Sequence, residues 1–595
     1  MTIKNRGIRY HIGLMAIAAS CGLFTACGQA DVNTKEGLLD ALENREQLDK
    51  AIPKISGMVT RPQELEPFVP ALMNLYMKGS AFDREVIQAL AAYGKPEVDE
   101  ALKKAADVPN DYKQVMQAAY GAKNTGNLEV VTKLLNVYDK QSNPEVKRVI
   151  LEIGTAVHSD GITKKALDTL NGNVDDTPFT LLRTSCDVLA FQKNADQSVV
   201  DTLMKILYHQ DGVGRTLTSN CTKALLALNK DIVAPALLKA FKMENNDLNA
   251  YVAAHPDTMT PETIRNNTAN SLALFRYTDA VEPMLDYVGN TRTIPVPGTL
   301  AIRPVTDPAW QMWASLVGVA AQSTIFALND IGVKGNKRAK EIFTDIFNWT
   351  MPYKSKFKNA IELTGTTNIE VSQRVNAYRV LRENDLISTT EAVEMVNSLK
   401  DEEFQDEKKL RPWARASIGT DMVTYSAITA KPGETGKVWA AFNALKANEF
   451  KVPVPDDPNA PKTPHFNDAV SQRIDDVKPA FELADKCDNN AGCYASELKD
   501  ADKNEASASY IRAKILYELG FSGEHKYFDV ICDEYKKLDV FGQLYGTKAL
   551  AQLGTKDDVP RIEQLIKDLA SNMNQIQYQA AKPNLEGLIT TLSSK

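Results

Sequence analysis

Histidine is scarce in this chain of 595 residues, limited to His11, His158, His209, His255, His465 and His525. No two of the last five stand at metal-ligand spacing, and His-Glu-x-x-His and Cys-x-x-Cys are both absent, which removes the usual zinc sites. Gly-x-Ser-x-Gly is missing as well, so His158-Ser159-Asp160 reads as a loop rather than part of a hydrolase triad. There is no phosphate loop and no Gly-x-Gly-x-x-Gly. The stretch from Asp485 to Gly492 has the acidic look of a calcium loop, but Cys487 and Ala491 stand where oxygen ligands belong. The sequence therefore offers no catalytic residues, no metal site and no cofactor motif. Basic charge is not in excess either. Lys and Arg number 69 against 76 Asp and Glu, a formal net charge of −7, which excludes the broad positive field of a nucleic-acid binder. Sustained β-branched alternation is also lacking, which argues against a sheet.

What is present is an ordinary globular composition, 44% hydrophobic and 24% charged, over several times the length of one hydrophobic core. Such a chain either divides into domains or grows in one dimension. At the N-terminus, Lys4, Arg6 and Arg9 precede an apolar run from Ile12 to Phe24, too short to span a membrane and right for a signal-peptide core. The run ends in Leu23-Phe24-Thr25-Ala26-Cys27, which resembles the lipobox of bacterial lipoproteins. That resemblance implies cleavage of residues 1–26, acylation of Cys27 on its sulfur and its new amino group, and a tether over 27–36. Phe24 departs from the aliphatic residue the family prefers. Secretory cleavage after Ala26 and a lipobox ending at Cys21 are the two other readings. In lipoproteins of two-membrane bacteria an aspartate after the cysteine marks the inner membrane, so Gly28 implies the outer one. Removing three positive charges and no negative ones takes the formal charge from −7 to −10.

Export implies an oxidising compartment for the cysteines that remain: Cys186, Cys221, Cys487, Cys493 and Cys532. An odd number leaves at least one free thiol or an intermolecular bond. Cys487 and Cys493 flank a turn-rich loop, Asp488-Asn489-Asn490-Ala491-Gly492, and are expected to pair, since six residues of unbroken helix would hold the sulfurs apart. Cys186 and Cys221 are 35 positions apart, about one repeat, and either pair across stacked helices or stay as two buried thiols.

The repeat is an apolar residue, two variable residues, an apolar residue and glycine. It occurs at Leu90–Gly94, Ile150–Gly154, Leu328–Gly332, Leu516–Gly520 and Leu550–Gly554, with asparagine in Leu225–Asn229. The pattern predicts a helix closed by a left-handed C-cap. A short acidic or proline-bearing turn and a second amphipathic helix follow, as in Asp557-Asp558-Val559-Pro560, Pro96-Glu97-Val98 and Asp279-Ala280-Val281. Helix–turn–helix units at a spacing of 34 residues (Gly520 to Gly554) must stack, because one hairpin cannot bury its apolar face alone. The alternative is an ordinary all-α protein in which such glycines simply end helices. With its irregular spacing, the chain resembles bacterial HEAT-repeat lipoproteins over most of 37–595. The resemblance implies an all-α fold, a right-handed α-solenoid of antiparallel helix pairs. Some HEAT-repeat proteins are di-iron hydroxylases with His-Glu pairs; no histidine here precedes a glutamate, so that activity is not carried over.

Repeats are expected over 37–287, 309–451 and 466–595, separated by Pro/Gly-rich insertions at 288–308 and 452–465 that either meet a ligand or space the blocks. Asp307-Pro308 predicts a capped helix start, with Trp310 and Trp313 on one buried face. The segment containing Arg411, Trp413 and Arg415 is the best candidate partner contact, with a helix start and a buried Trp413 as the plainer reading. The functional expectation is a membrane-tethered scaffold for another protein of the cell envelope, with no nucleic-acid or metal partner. An enzyme, or an accessory subunit acting on an envelope substrate, is the alternative.

Overall fold

The computed structural model describes residues 31–193, 196–255, 259–290, 307–348, 368–400, 412–446, 466–503 and 505–595. The signal and Cys27, most of the 288–308 insertion, all of 452–465, and Arg411 lie outside the described residues. Among the described residues the secondary structure is helical, with no β-strand and one isolated bridge between Gln210 and Thr216. They form two compact units, Met1–Gly161 and Ile162–Lys595.

The first unit contains α1 (Lys35–Asn44), α2 (Leu48–Ser56), α3 (Val69–Lys78), α4 (Asp83–Tyr93), α5 (Asp99–Ala106), α6 (Tyr112–Thr125), α7 (Leu128–Lys140) and α8 (Pro144–Glu152). Short polar side chains start several of these helices. Thr34, Asp111, Asn127 and Asn143 each accept a first-turn backbone N–H. Helices α1, α3, α5 and α7 pack in succession, as do α2, α4, α6 and α8, so the unit is two-layered. Leu90, Leu102, Leu134 and Ile150 are fully buried between those layers.

The second unit opens with α9 (Asp160–Asn171), α10 (Phe179–Gln192), α11 (Gln197–Ile206), α12 (Thr218–Ala227), α13 (Lys230–Phe241) and α14 (Asn246–Ala254). Next come α15 (Pro261–Leu274), α16 (Val281–Asn290), α17 (Pro308–Ile331), α18 (Lys337–Asn348), α19 (Asn368–Glu383), α20 (Thr389–Ser398), α21 (Pro412–Ile428) and α22 (Ala440–Leu445). The chain finishes with α23 (Phe466–Asp476), α24 (Lys478–Cys487), α25 (Ala491–Glu497), α26 (Ala508–Phe521), α27 (Phe528–Tyr535), α28 (Val540–Leu553), α29 (Val559–Asn572) and α30 (Gln575–Ser593). Asp307 caps α17 through the Ala309 N–H at 2.8 Å, and Trp310 and Trp313 are buried with rings 5.6 Å apart, as the sequence predicts. The expected turn between paired helices is a 3₁₀ turn at Pro96–Val98, Thr278–Ala280 and Lys556–Asp558.

In this unit the helices do not remain an open row. Helices α15, α17, α19, α21, α26, α28 and α30 each pack on the next, and α30 packs back on α15. These inner helices run in the same direction. Gln322 and Asn329 of α17 meet Ser372 and Glu383 of α19, and Tyr510 and Gly520 of α26 meet Phe541 and Ala549 of α28. The circuit closes where the Thr591 hydroxyl donates to the Leu274 carbonyl at 2.9 Å, beside Arg276 donating to Gln552 at 3.2 Å.

The glycine caps need correction. Gly94 and Gly332 do end helices at positive φ, 61° and 96°. Gly154 lies in a 3₁₀ turn, Gly554 ends α28 in extended conformation, and Asn229 instead caps the start of α13. Gly520 lies inside α26, where a Cβ would meet the Ala549 Cα at 2.6 Å, so its role is close helix approach rather than a turn.

Candidate functional site

The inner helices of the second unit carry charged side chains into the circuit. Near the C-terminal end of α19, the Glu383 carboxylate is buried and accepts from Arg379 Nε (2.7 Å), Asn329 Nδ2 (2.8 Å) and the Tyr545 hydroxyl (3.1 Å), as well as from Lys548 Nζ. Burial alone would raise its pKa, but the Arg379 and Lys548 charges outweigh that and hold it at about 2. One residue back, Arg382 forms a two-pronged pair with Glu434 (3.1 and 2.6 Å) and bonds Thr429 (3.1 Å). Lys514 of α26, fully buried, donates to the Ala430 carbonyl at 2.6 Å and to Glu518 at 2.5 Å. Together these groups join α19 to α17 and α28, and tie α26 to the end of α21.

From Arg379 toward the N-terminal ends the lining becomes aromatic, with Arg379 and Tyr545 buried and Tyr425, Tyr510, Phe541 and Arg473 partly exposed. The Arg379 guanidinium lies over Tyr425 (5.3 Å) and Tyr545 (5.8 Å), and that of Arg473 over Tyr510 (5.0 Å). Phe541 links the two groups, with ring centroids 6.1 Å from Tyr510 and 5.3 Å from Tyr545. Arg473, on α23, also donates to Thr424 of α21 at 3.1 Å. Asp421 sits one turn before Tyr425. Burial pushes its pKa up to about 6 and the nearby Arg473 offsets that only in part. A half-buried carboxyl held above its ordinary range, among arginines and aromatic rings, is the pattern expected where side chains are kept for binding or chemistry.

Asp421 should therefore detract from stability. Its folded pKa is raised from 3.8, so its contribution is most favourable below about 3.8 and is lost as pH rises through about 6. Asp421→Asn is expected to gain about 1–3 kcal/mol over the natural chain at pH 8 and nothing at pH 3.5, measured by urea unfolding. Equal stability at both pH values would remove the argument.

Helices α17, α19, α21 and α23 start at this end, each after residues outside those described (291–306, 349–367, 401–411 and 447–465). At the opposite end the inner helices α17, α19 and α21 turn into their partners within a few residues. Trp413 and Arg415 fall in the first turn of α21, at this mouth; their side chains and Arg411 lie outside the described residues. Sequence reading did not find Asp421, Arg379 or Arg473. Their signal was a charged residue on the buried stripe of a helix, as in Tyr378-Arg379 and Asp421-Met422.

The other residues singled out earlier are dispersed. Cys487 and Cys493, Cα atoms 5.4 Å apart, are joined by a disulfide linking the end of α24 to the first turn of α25. Cys186 and Cys221 are buried thiols with sulfurs 3.0 Å apart, and Cys532 is a separate buried thiol. His255 stacks on Tyr251 at 4.1 Å, while His525 bonds Asp558 at 2.9 Å. Among the described residues no three His, Cys, Asp or Glu side chains form a metal-binding group. On the first unit, Tyr112 and Tyr120 stand exposed on α6.

No protein-family model matches the chain, and no curated protein sequence matches it.

Proposed function

We propose that the chain is an exported, lipid-anchored helical-repeat protein of the bacterial cell envelope that works by binding another envelope protein. In this reading the first unit is a right-handed α-solenoid of HEAT-like pairs, and the partner is engaged at the N-terminal mouth of the inner helices of the second. The observation that carries it is the lining: Tyr425, Tyr510 and Phe541, each partly exposed, beside a partly exposed Arg473, side chains of the kinds enriched at interfaces.

The test is capture from detergent-solubilised membranes with mass spectrometry, comparing the natural chain with Arg473→Ala/Tyr510→Ala and Trp413→Ala/Arg415→Ala. A protein recovered with the natural chain and lost with either double variant supports the reading. Equal recovery with both variants, or nothing above a mock capture, overturns it. Anchoring is tested separately: replacing residues 1–27 by a secretory signal that is cleaved without lipidation is expected to move most of the protein from the membrane pellet to the soluble fraction, since in this reading the acyl chains hold it.

A second reading, an enzyme or accessory subunit acting on an envelope substrate, is favoured by Asp421, whose carboxyl is poised near neutral pH. It requires that Asp421→Asn abolish a measurable turnover while leaving partner recovery intact.

A further inference from the structure

The odd cysteine count finds a resolution in the packing of α10 on α12. Cys186 and Cys221 face each other in that contact, both fully buried, with sulfurs 3.0 Å apart. That is inside the ordinary separation of two unbonded sulfurs and one short movement from a bond of about 2.0 Å. Their neighbours Asp187 and Asn220 are already joined by a 2.9 Å hydrogen bond, so the two helices are held in register beside the thiols. Cys532 lies in a different cluster, packed with Phe528, Ile531 and Tyr535.

We infer that Cys186 and Cys221 form a second disulfide in the exported protein, leaving Cys532 as its one thiol. The step is a thiol–disulfide exchange with a disulfide-bearing oxidant, an oxidoreductase of the compartment or oxidised glutathione. One cysteine, as thiolate, attacks the oxidant's disulfide and expels one of its thiols, forming a mixed disulfide. The second cysteine, as thiolate, attacks the protein sulfur of that bond and expels the oxidant's other thiol. Two protein thiols thus become a disulfide while the oxidant's disulfide becomes two thiols. The exchange belongs to the folding chain, because burial in the finished fold excludes the oxidant and disfavours the thiolate of Cys221. The setting rests on the export reading above; the chemistry does not.

The experiment alkylates cysteines under denaturing conditions and maps the label by peptide mass spectrometry. In membrane-extracted protein, label is expected at Cys532 and not at Cys186, Cys221, Cys487 or Cys493, with a cross-linked Cys186–Cys221 peptide that reduction dissolves. Cys186→Ser should release Cys221 for labelling and leave Cys532 unchanged. A chain beginning at Gly28, unfolded and refolded in a glutathione redox buffer, should form the same bond. Labelling of both Cys186 and Cys221 in refolded protein whose Cys487–Cys493 peptide is cross-linked overturns the inference. If the refolded chain forms the bond but the cell-derived chain carries no lipid on Cys27 and labels at both positions, the export reading fails and the pairing stands.

Discussion

Replacing Glu383 with alanine is expected to destabilise the second unit by about 3–5 kcal/mol, the usual penalty for removing one partner of a buried ion pair. The loss of one carboxylate strands two buried cations, Arg379 and Lys548, and removes the acceptor from the Tyr545 hydroxyl and Asn329. Replacing Arg379, Glu383 and Lys548 together by methionine should cost far less, since the desolvated charges leave together. The pH dependence has a definite sign. With the folded pKa of Glu383 lowered from 4.5 to about 2, its contribution is present above 4.5 and is lost as pH falls through that window. Urea unfolding of a chain beginning at Gly28, followed by circular dichroism, measures all three quantities. A loss below about 1 kcal/mol for Glu383→Ala would mean that the network contributes little to the fold.

Deleting residues 575–595 is the second large effect expected. In an open row the last helix covers only its neighbour, and its removal is a local event. Here α30 also covers α15, about 300 residues earlier, through Thr591 and Gly587 against Leu274. It buries Ala581, Leu585, Leu588 and Leu592 as well. Losing the burial of three leucines and exposing the surfaces they cover forfeits on the order of 5 kcal/mol, and the thermal midpoint should fall by on the order of 10 °C. The distinguishing measurement is hydrogen exchange. Amides of Pro261–Leu274 should lose protection along with those of Val559–Asn572. If only the latter respond, the helices are not closed into a circuit.

Local features were the most legible part of the sequence. Asp307-Pro308 marks a helix start because a carboxylate must accept the first free N–H groups and proline suits the first position. The turn-rich loop between Cys487 and Cys493 was readable for the same reason, since it breaks a helix that would otherwise separate the sulfurs. Glycine was less informative. It is favoured both where a backbone takes positive φ, as at Gly94, and where another helix must approach, as at Gly520. A single sequence pattern serves both needs. The closed circuit was not legible, because bonds such as Arg276–Gln552 and Glu383–Lys548 join positions whose separation no local periodicity encodes. The lining of the candidate site was missed for a related reason. Charges such as Arg379 and Asp421 look like solvated helix faces until the opposite helices are in place.

The common direction of the inner helices gives the second unit an electrical polarity. Each peptide stack carries about half a positive charge at its start and half a negative charge at its finish. Seven aligned stacks add, and the outer helices, farther from the axis, oppose them only in part. Lysines are arranged accordingly at the finishing end: Lys514 is bonded to the Ala430 carbonyl, and Lys595 to that of Gly554 at 2.6 Å. At the starting end Arg473 is accompanied by carboxylates that offset the positive bias: Asp307 and Asp539 accept first-turn N–H groups, and Glu262 lies in the first turn of α15. A partner segment would meet charge of both signs there, so one carrying both would be matched better than a uniformly acidic or basic one.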